Sequence, residues 1–122
     1  MKSLARIRKR QGRCYELAVT VMLGEAEADQ WVMVHGRLKL AKAFGRPGLE
    51  GWYDHAWIVL DDGRIYDVVH DHYSSSEQYR ARWGAVADHH YSQSDTSRLI
   101  DVSRNYGPWT DAERAKAAEL DW

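Results

Sequence analysis

The chain has 122 residues and is rich in charge, yet 17 Lys and Arg against 18 Asp and Glu leave a net charge of -1. That length suits one domain, residues 1–122, with its own core, and the charge balance argues against a nucleic-acid binder, which would carry a basic excess. No apolar run approaches the roughly 18 residues of a membrane span, and the basic start lacks the apolar stretch of a signal peptide, so neither membrane insertion nor secretion is expected.

The opening Met1–Arg10 segment carries Lys2, Arg6, Arg8, Lys9 and Arg10 and reads as a solvated terminus or a flexible basic arm. After Gln11-Gly12-Arg13, apolar residues at helical spacing (Cys14, Leu17, Ala18, Val21) predict a helix over 14–25. Gly24 and the acidic run Glu25–Asp29 end it. Trp31-Val32-Met33-Val34-His35 is rich in β-formers and predicts a central strand running towards Leu38 or Leu40, with Gly36 marking a bulge or a close backbone approach. Residues 41–52 form a glycine-rich loop without the phosphate-cradle pattern.

Next comes a hairpin: His55-Ala56-Trp57-Ile58-Val59-Leu60, a turn, then Ile65-Tyr66-Asp67-Val68-Val69. A two-residue loop at Asp62-Gly63 would place His55 and Asp67 on opposite faces. A three-residue loop, Asp61-Asp62-Gly63 with Gly63 left-handed, pairs Leu60 with Arg64 and puts both side chains on one face as diagonal neighbours. The three-residue loop is expected. Beyond Val69 the chain turns polar. Ser74 with Glu77, Ser92 with Asp95 and Thr110 with Glu113 are capping patterns that predict helices near 75–82, 93–104 and 110–120. Ala85–Tyr91 is a candidate strand, Gly107-Pro108 is expected to stop the penultimate helix, and Trp109 to plug into the core. No internal repeat or linker is visible. Together these elements predict an α+β fold: an N-terminal helix on a small antiparallel sheet, with short C-terminal helices over an edge or face.

Three residues carry the chemistry. A thiolate at a helix start is stabilised by the dipole and by unpaired N–H groups, which can also hold an oxyanion. Cys14, the only cysteine, is placed there, although a free cysteine is more often an inert buried hydrophobe. As a lone thiol it cannot form an internal disulfide, which fits a reducing cytoplasm. His55 opens an apolar strand, and Asp67 lies within another, where a carboxylate needs a partner. A nucleophile, a base and an orienting carboxylate follow from that set; separate structural roles are the competing reading.

Cys14 at a helix start, His55-Ala56-Trp57 in one strand and Tyr66-Asp67 in the next resemble the papain-like superfamily, most closely its transglutaminase-like and NlpC-type branches. Gly12-Arg13-Cys14-Tyr15-Glu16-Leu17-Ala18, Val34-His35-Gly36 and Tyr106-Gly107-Pro108-Trp109 are also similar to segments of small bacterial and phage proteins. The resemblance covers about residues 11–70. It implies a papain-like core and a Cys14–His55–Asp67 hydrolase or acyl-transferase acting on a peptide or small amide, without cofactor. Papain-type enzymes often place a glutamine well upstream as an oxyanion donor; Gln11 stands only three residues before Cys14. Gln11, Tyr15, His35 and Trp57 are the expected substrate contacts, the aromatic members because rings with polar handles suit cleft walls. The same scaffold could instead hold a small ligand or partner protein without catalysis. His70, His72, His89 and His90, with Asp71 and Asp88, lack a recognised ligand frame, so no metal is assigned. Oligomeric state is not legible.

Overall fold

The computed structural model describes residues 13–39 and 51–120; Gln11, the basic opening and most of the glycine-rich loop lie outside them. The described residues form an α+β fold in the order α1 (Cys14–Gly24), a short 3-10 turn (Ala26–Gln30), β1 (Val32–Lys39), β2 (Trp52–Val59), β3 (Ile65–Asp67), β4 (His72–Ser74), α2 (Ser76–Trp83), β5 (Val86–Tyr91), α3 (Gln93–Ser103) and α4 (Asp111–Ala118). The strands make one antiparallel sheet ordered β4-β3-β2-β1-β5. Among the described residues no helix is long and apolar enough to cross a membrane.

Strand alternation sorts the core into two layers. Met33 of β1, Ala56 and Ile58 of β2 and Tyr91 of β5 pack with Ala18, Val19 and Met22 of α1, Leu99 of α3 and Ala117 of α4. Val34, Leu38, Trp57 and Ile65 point the other way and meet Tyr79 and Trp83 of α2. The sheet therefore has α1, α3 and α4 on one face and α2 on the other. Trp109 is buried in the first layer, where the sequence places it.

Three helices begin with complete capping boxes: Ser75 with Gln78, Ser92 with Asp95, and Thr110 with Glu113. Each satisfies orphan N–H groups and is worth about 1 kcal/mol. The first differs by one position from the expected Ser74–Glu77 pair. Ser74 is taken up by β4, where it pairs with Ile65, so the helix starts one residue later. α3 ends at Ser103, within one residue of the expected end at 104, with Arg104 as its left-handed cap ahead of Gly107-Pro108. β3 ends at Asp67 rather than running to Val69.

Gly36 sits where two neighbours converge. A Cβ there would lie 2.2 Å from the Val86 carbonyl oxygen and 2.6 Å from the Trp57 ring. The β1–β5 register slips beside it, between His35↔His89 and Gly36↔Ala87, leaving Asp88 as the bulged residue. Both expectations for Gly36 hold, with the extra residue on the partner strand.

Candidate active site

The turn after β2 sets the site. Leu60 N–H donates to Arg64 O (2.8 Å) and Gly63 N–H to Leu60 O (3.0 Å). Gly63 has φ +86°, a conformation open to glycine at little cost. This is the three-residue loop, and it fixes the register Val59↔Ile65 and Ile58↔Tyr66. Odd-numbered residues of β2 and β3 then share a face, so His55 and Asp67 project together beneath α2. His55 does not open its strand as expected. It is the fourth residue of β2 and fully buried.

His55 Nε2 donates to Asp67 Oδ2 at 2.9 Å. The same oxygen accepts from His70 Nδ1 at 2.7 Å and from the Tyr79 hydroxyl at 2.5 Å. The backbone N–H of His70 donates to Oδ1 at 3.1 Å. Four donors around one buried carboxylate favour its charged form. Burial pushes Asp67 up, but the charge of His55 and the hydrogen bonds from both histidines hold it well below the usual carboxylate range. Burial likewise pushes His55 down, yet the charge and hydrogen bond of Asp67, with a further contribution from Cys14, raise it to about 9. Near neutral pH the ring is an imidazolium.

Cys14 is the first residue of α1 and buried, 4% exposed. Arg13 at the cap position offers no side-chain acceptor to the first turn; its guanidinium is held by Glu16 at 2.9 and 3.1 Å. α1 is thus the one described α-helix without a capping box, and among the described residues no capping side chain closes off its leading N–H groups. β2 pairs with β3 only at Ile58 and Val59, which leaves the His55 segment without a strand neighbour on that side. His55 Nδ1 is buried and has no hydrogen-bond partner among the described residues. The Cys14 sulfur does not complete a hydrogen bond of ordinary geometry to it, but is near enough to favour the protonated ring.

The remaining expected residues divide. Trp57 does not line the thiol: it is buried under α2, tilted against Tyr79 with ring centroids 5.3 Å apart, because it shares the inward face of β2 with His55. His35 lies on the opposite face from His55 and cannot replace a triad member. Its ring is boxed by Tyr15 (4.7 Å, edge-on), Tyr91 (4.9 Å, edge-on) and Trp109 (5.0 Å, stacked). Burial, with the nearby charges of His89 and Arg114, pushes His35 down to about 3, so it is neutral. Tyr15 and His35 do line a cavity of about 390 Å³ with Gly36, Asp54, Tyr91 and Trp109. Three of these adjoin the site: Tyr15 follows Cys14, Asp54 precedes His55, and Gly36 pairs with His55. Gln11 falls outside the described residues.

Two members of the site were not legible in the sequence. The polar run around His70 reads as surface, but the turn after β3 folds His70 back onto Asp67, with its ring stacked on Trp83 at 4.3 Å. Tyr79 arrives from α2; its only signal was the Tyr79–Trp83 spacing of four, an apolar stripe on an otherwise polar helix. His72, His89 and His90 are exposed, Asp71 accepts from the Tyr66 hydroxyl, and Asp88 is paired with Arg37. Among the described residues, one set of groups has metal-ligand spacing: His55, Asp67 and His70, with ligand atoms within 4.8 Å of one another. In that set His55 Nε2 and His70 Nδ1 each share a hydrogen bond with Asp67 Oδ2.

Set against protein-family models, curated proteins and solved structures, the chain matches none of them.

Proposed function

We propose that the chain is a cysteine hydrolase or acyl-transferase of papain-like type, acting on an amide or related acyl bond, with Cys14 as nucleophile, His55 as acid–base and Asp67 as its orienter. The observation that supports it most is the state of His55. One nitrogen of a wholly buried ring is fixed by a carboxylate, the other has no partner among the described residues, and the only thiol in the chain is near enough to favour the protonated ring. His35 Nε2 and His70 Nε2 are likewise buried without a partner among the described residues, so what singles out His55 is the thiol beside it. The ring is thereby placed to exchange a proton as the sulfur reacts.

In this reading the Cys14 thiolate attacks the carbonyl carbon, and the first-turn N–H groups of α1 receive the oxyanion. His55 gives its Nδ1 proton to the leaving group as the C–N bond breaks, leaving a thioester on Cys14. A water or acceptor nucleophile, deprotonated by His55, then attacks the thioester and the thiolate departs. Asp67 stays ionised throughout and holds the ring by Nε2. The cavity beside Tyr15, His35 and Asp54 takes the part of the substrate flanking the reacting carbonyl. A reducing cytoplasmic setting belongs to the proposal, because the thiol must remain free.

The near-complete burial of Cys14 favours the rival, a binding module with an inert thiol. Iodoacetamide alkylation separates them. For the enzyme, the rate stays high below pH 7 and falls at least tenfold at about pH 6 in His55→Gln. A rate that rises only near pH ~8.5, as for a free thiol, refutes the catalytic reading and leaves the binding module.

A further inference from the structure

Asp67 has more donors than orienting one histidine requires. Besides His55, its Oδ2 accepts from His70 Nδ1 and the Tyr79 hydroxyl, and Oδ1 accepts from the His70 backbone. The extra side-chain donors are anchored independently of His55. His70 stacks on Trp83 and Tyr79 packs on Trp57, so both belong to the layer beneath α2. Burial and the charge of Asp67 push Tyr79 well above the usual phenol range, which keeps it a donor throughout the neutral range.

A carboxylate in a dry interior with a single imidazolium partner holds that proton strongly. A catalytic acid works best when it releases its proton near the operating pH. Donors that converge on the same oxygen compete with His55 for its lone pairs and spread its charge. We propose that Tyr79 and His70 are positioning residues that hold Asp67 ionised and in place while drawing off part of its charge, so that His55 releases its proton to the leaving group. The charge sharing stands on the geometry alone; its catalytic meaning rests on the Cys14–His55 reading. The titratable groups facing His55 are Asp67 from β3, Cys14 from α1, His70 from the turn after β3, Tyr79 from α2 and Tyr53 from β2 itself.

The test is an NMR titration of the His55 ring nitrogens in the full chain, in wild type, Tyr79→Phe and His70→Phe. Both substitutions keep an aromatic ring in its stack and remove one side-chain donor. Each moves the His55 midpoint upward, by roughly half to one pH unit, a fraction of what a hydrogen bond to a charged group is worth. Packing alone predicts the opposite: a loosened Asp67 holds His55 less well, and the midpoint stays or drops. Midpoints unchanged or lowered in both variants overturn the proposal, and if Tyr79→Phe fails to fold, His70→Phe decides. Iodoacetamide alkylation of the same samples separates the two readings. Slow alkylation below pH 7 with an upward midpoint overturns the enzyme and keeps the charge sharing; fast alkylation without the upward shift does the reverse.

Discussion

Asp67→Asn isolates the charge that holds His55 protonated. In the folded protein His55 keeps its proton up to about pH 9, against an ordinary value of 6.5. The folded state therefore gains most below pH 6.5, and the gain is withdrawn as pH rises through 9. A change of about 2.5 in pKa corresponds to roughly 3 kcal/mol. Asp67 itself, depressed below 3.8, contributes stability above that pH and loses it only on acidification, so it adds no slope in the alkaline window. Asparagine is nearly isosteric, but it carries no charge and replaces one acceptor oxygen with an N–H donor, so His55, His70 and Tyr79 lose their shared ionic acceptor. Breaking a buried pair in this way costs about 3–5 kcal/mol near neutrality. Urea denaturation followed by tryptophan fluorescence at about pH 6, 8 and 10 reads both effects. The wild type loses up to roughly 3 kcal/mol across that range, while Asp67→Asn starts lower and declines less, so the gap narrows as pH rises. A wild type equally stable from pH 6 to 10, or a variant whose curve runs parallel to it, sinks the electrostatic account of this pair.

Gly36→Ala is expected to cost about 3 kcal/mol or more, at the upper end of overpacking, because the added carbon meets the Val86 carbonyl, which is backbone and cannot swing aside; thermal unfolding measures it, and an unchanged Tm contradicts the contact. Thr110→Ala removes the α4 cap and lowers stability by about 1 kcal/mol. Iodoacetamide labelling of Cys14 in that variant is expected to match wild type, since the cap lies on α4 and the thiol on α1; a changed labelling rate shows that the two helices are coupled at the site.

What could be read in advance follows from which forces are local. Turn chemistry is local: Asp61-Asp62-Gly63 announced its own geometry, and through it the face shared by His55 and Asp67. Helix caps are local too, though Ser74 and Ser75 each stand three residues ahead of a suitable partner. Only the pairing of Ser74 with Ile65 decides between them. That strand was invisible because His72-Tyr73-Ser74 is short, polar and on a sheet edge, where burial imposes no alternation. His70 and Tyr79 were missed for a different reason. Their bonds to Asp67 depend on a four-residue turn and on where α2 lands, and neither leaves a periodic trace. His55 stands three residues inside its strand rather than at its start, because β2 begins at Trp52 and its first three residues are exposed or only half-buried, with no buried face to mark them.

The three-residue turn after β2 also bears on how this protein can diverge. In a hairpin the face of each residue follows from its cross-strand partner, so any loop that keeps Leu60 opposite Arg64 keeps His55 and Asp67 together. The loop itself is therefore open to change, although Asp62 anchors it by accepting from the Arg64 backbone N–H and guanidinium. What the hairpin cannot absorb is a slip of one residue in the Val59↔Ile65 register, which hands Asp67 to the layer of α1 and α3 and takes its carboxylate from His55.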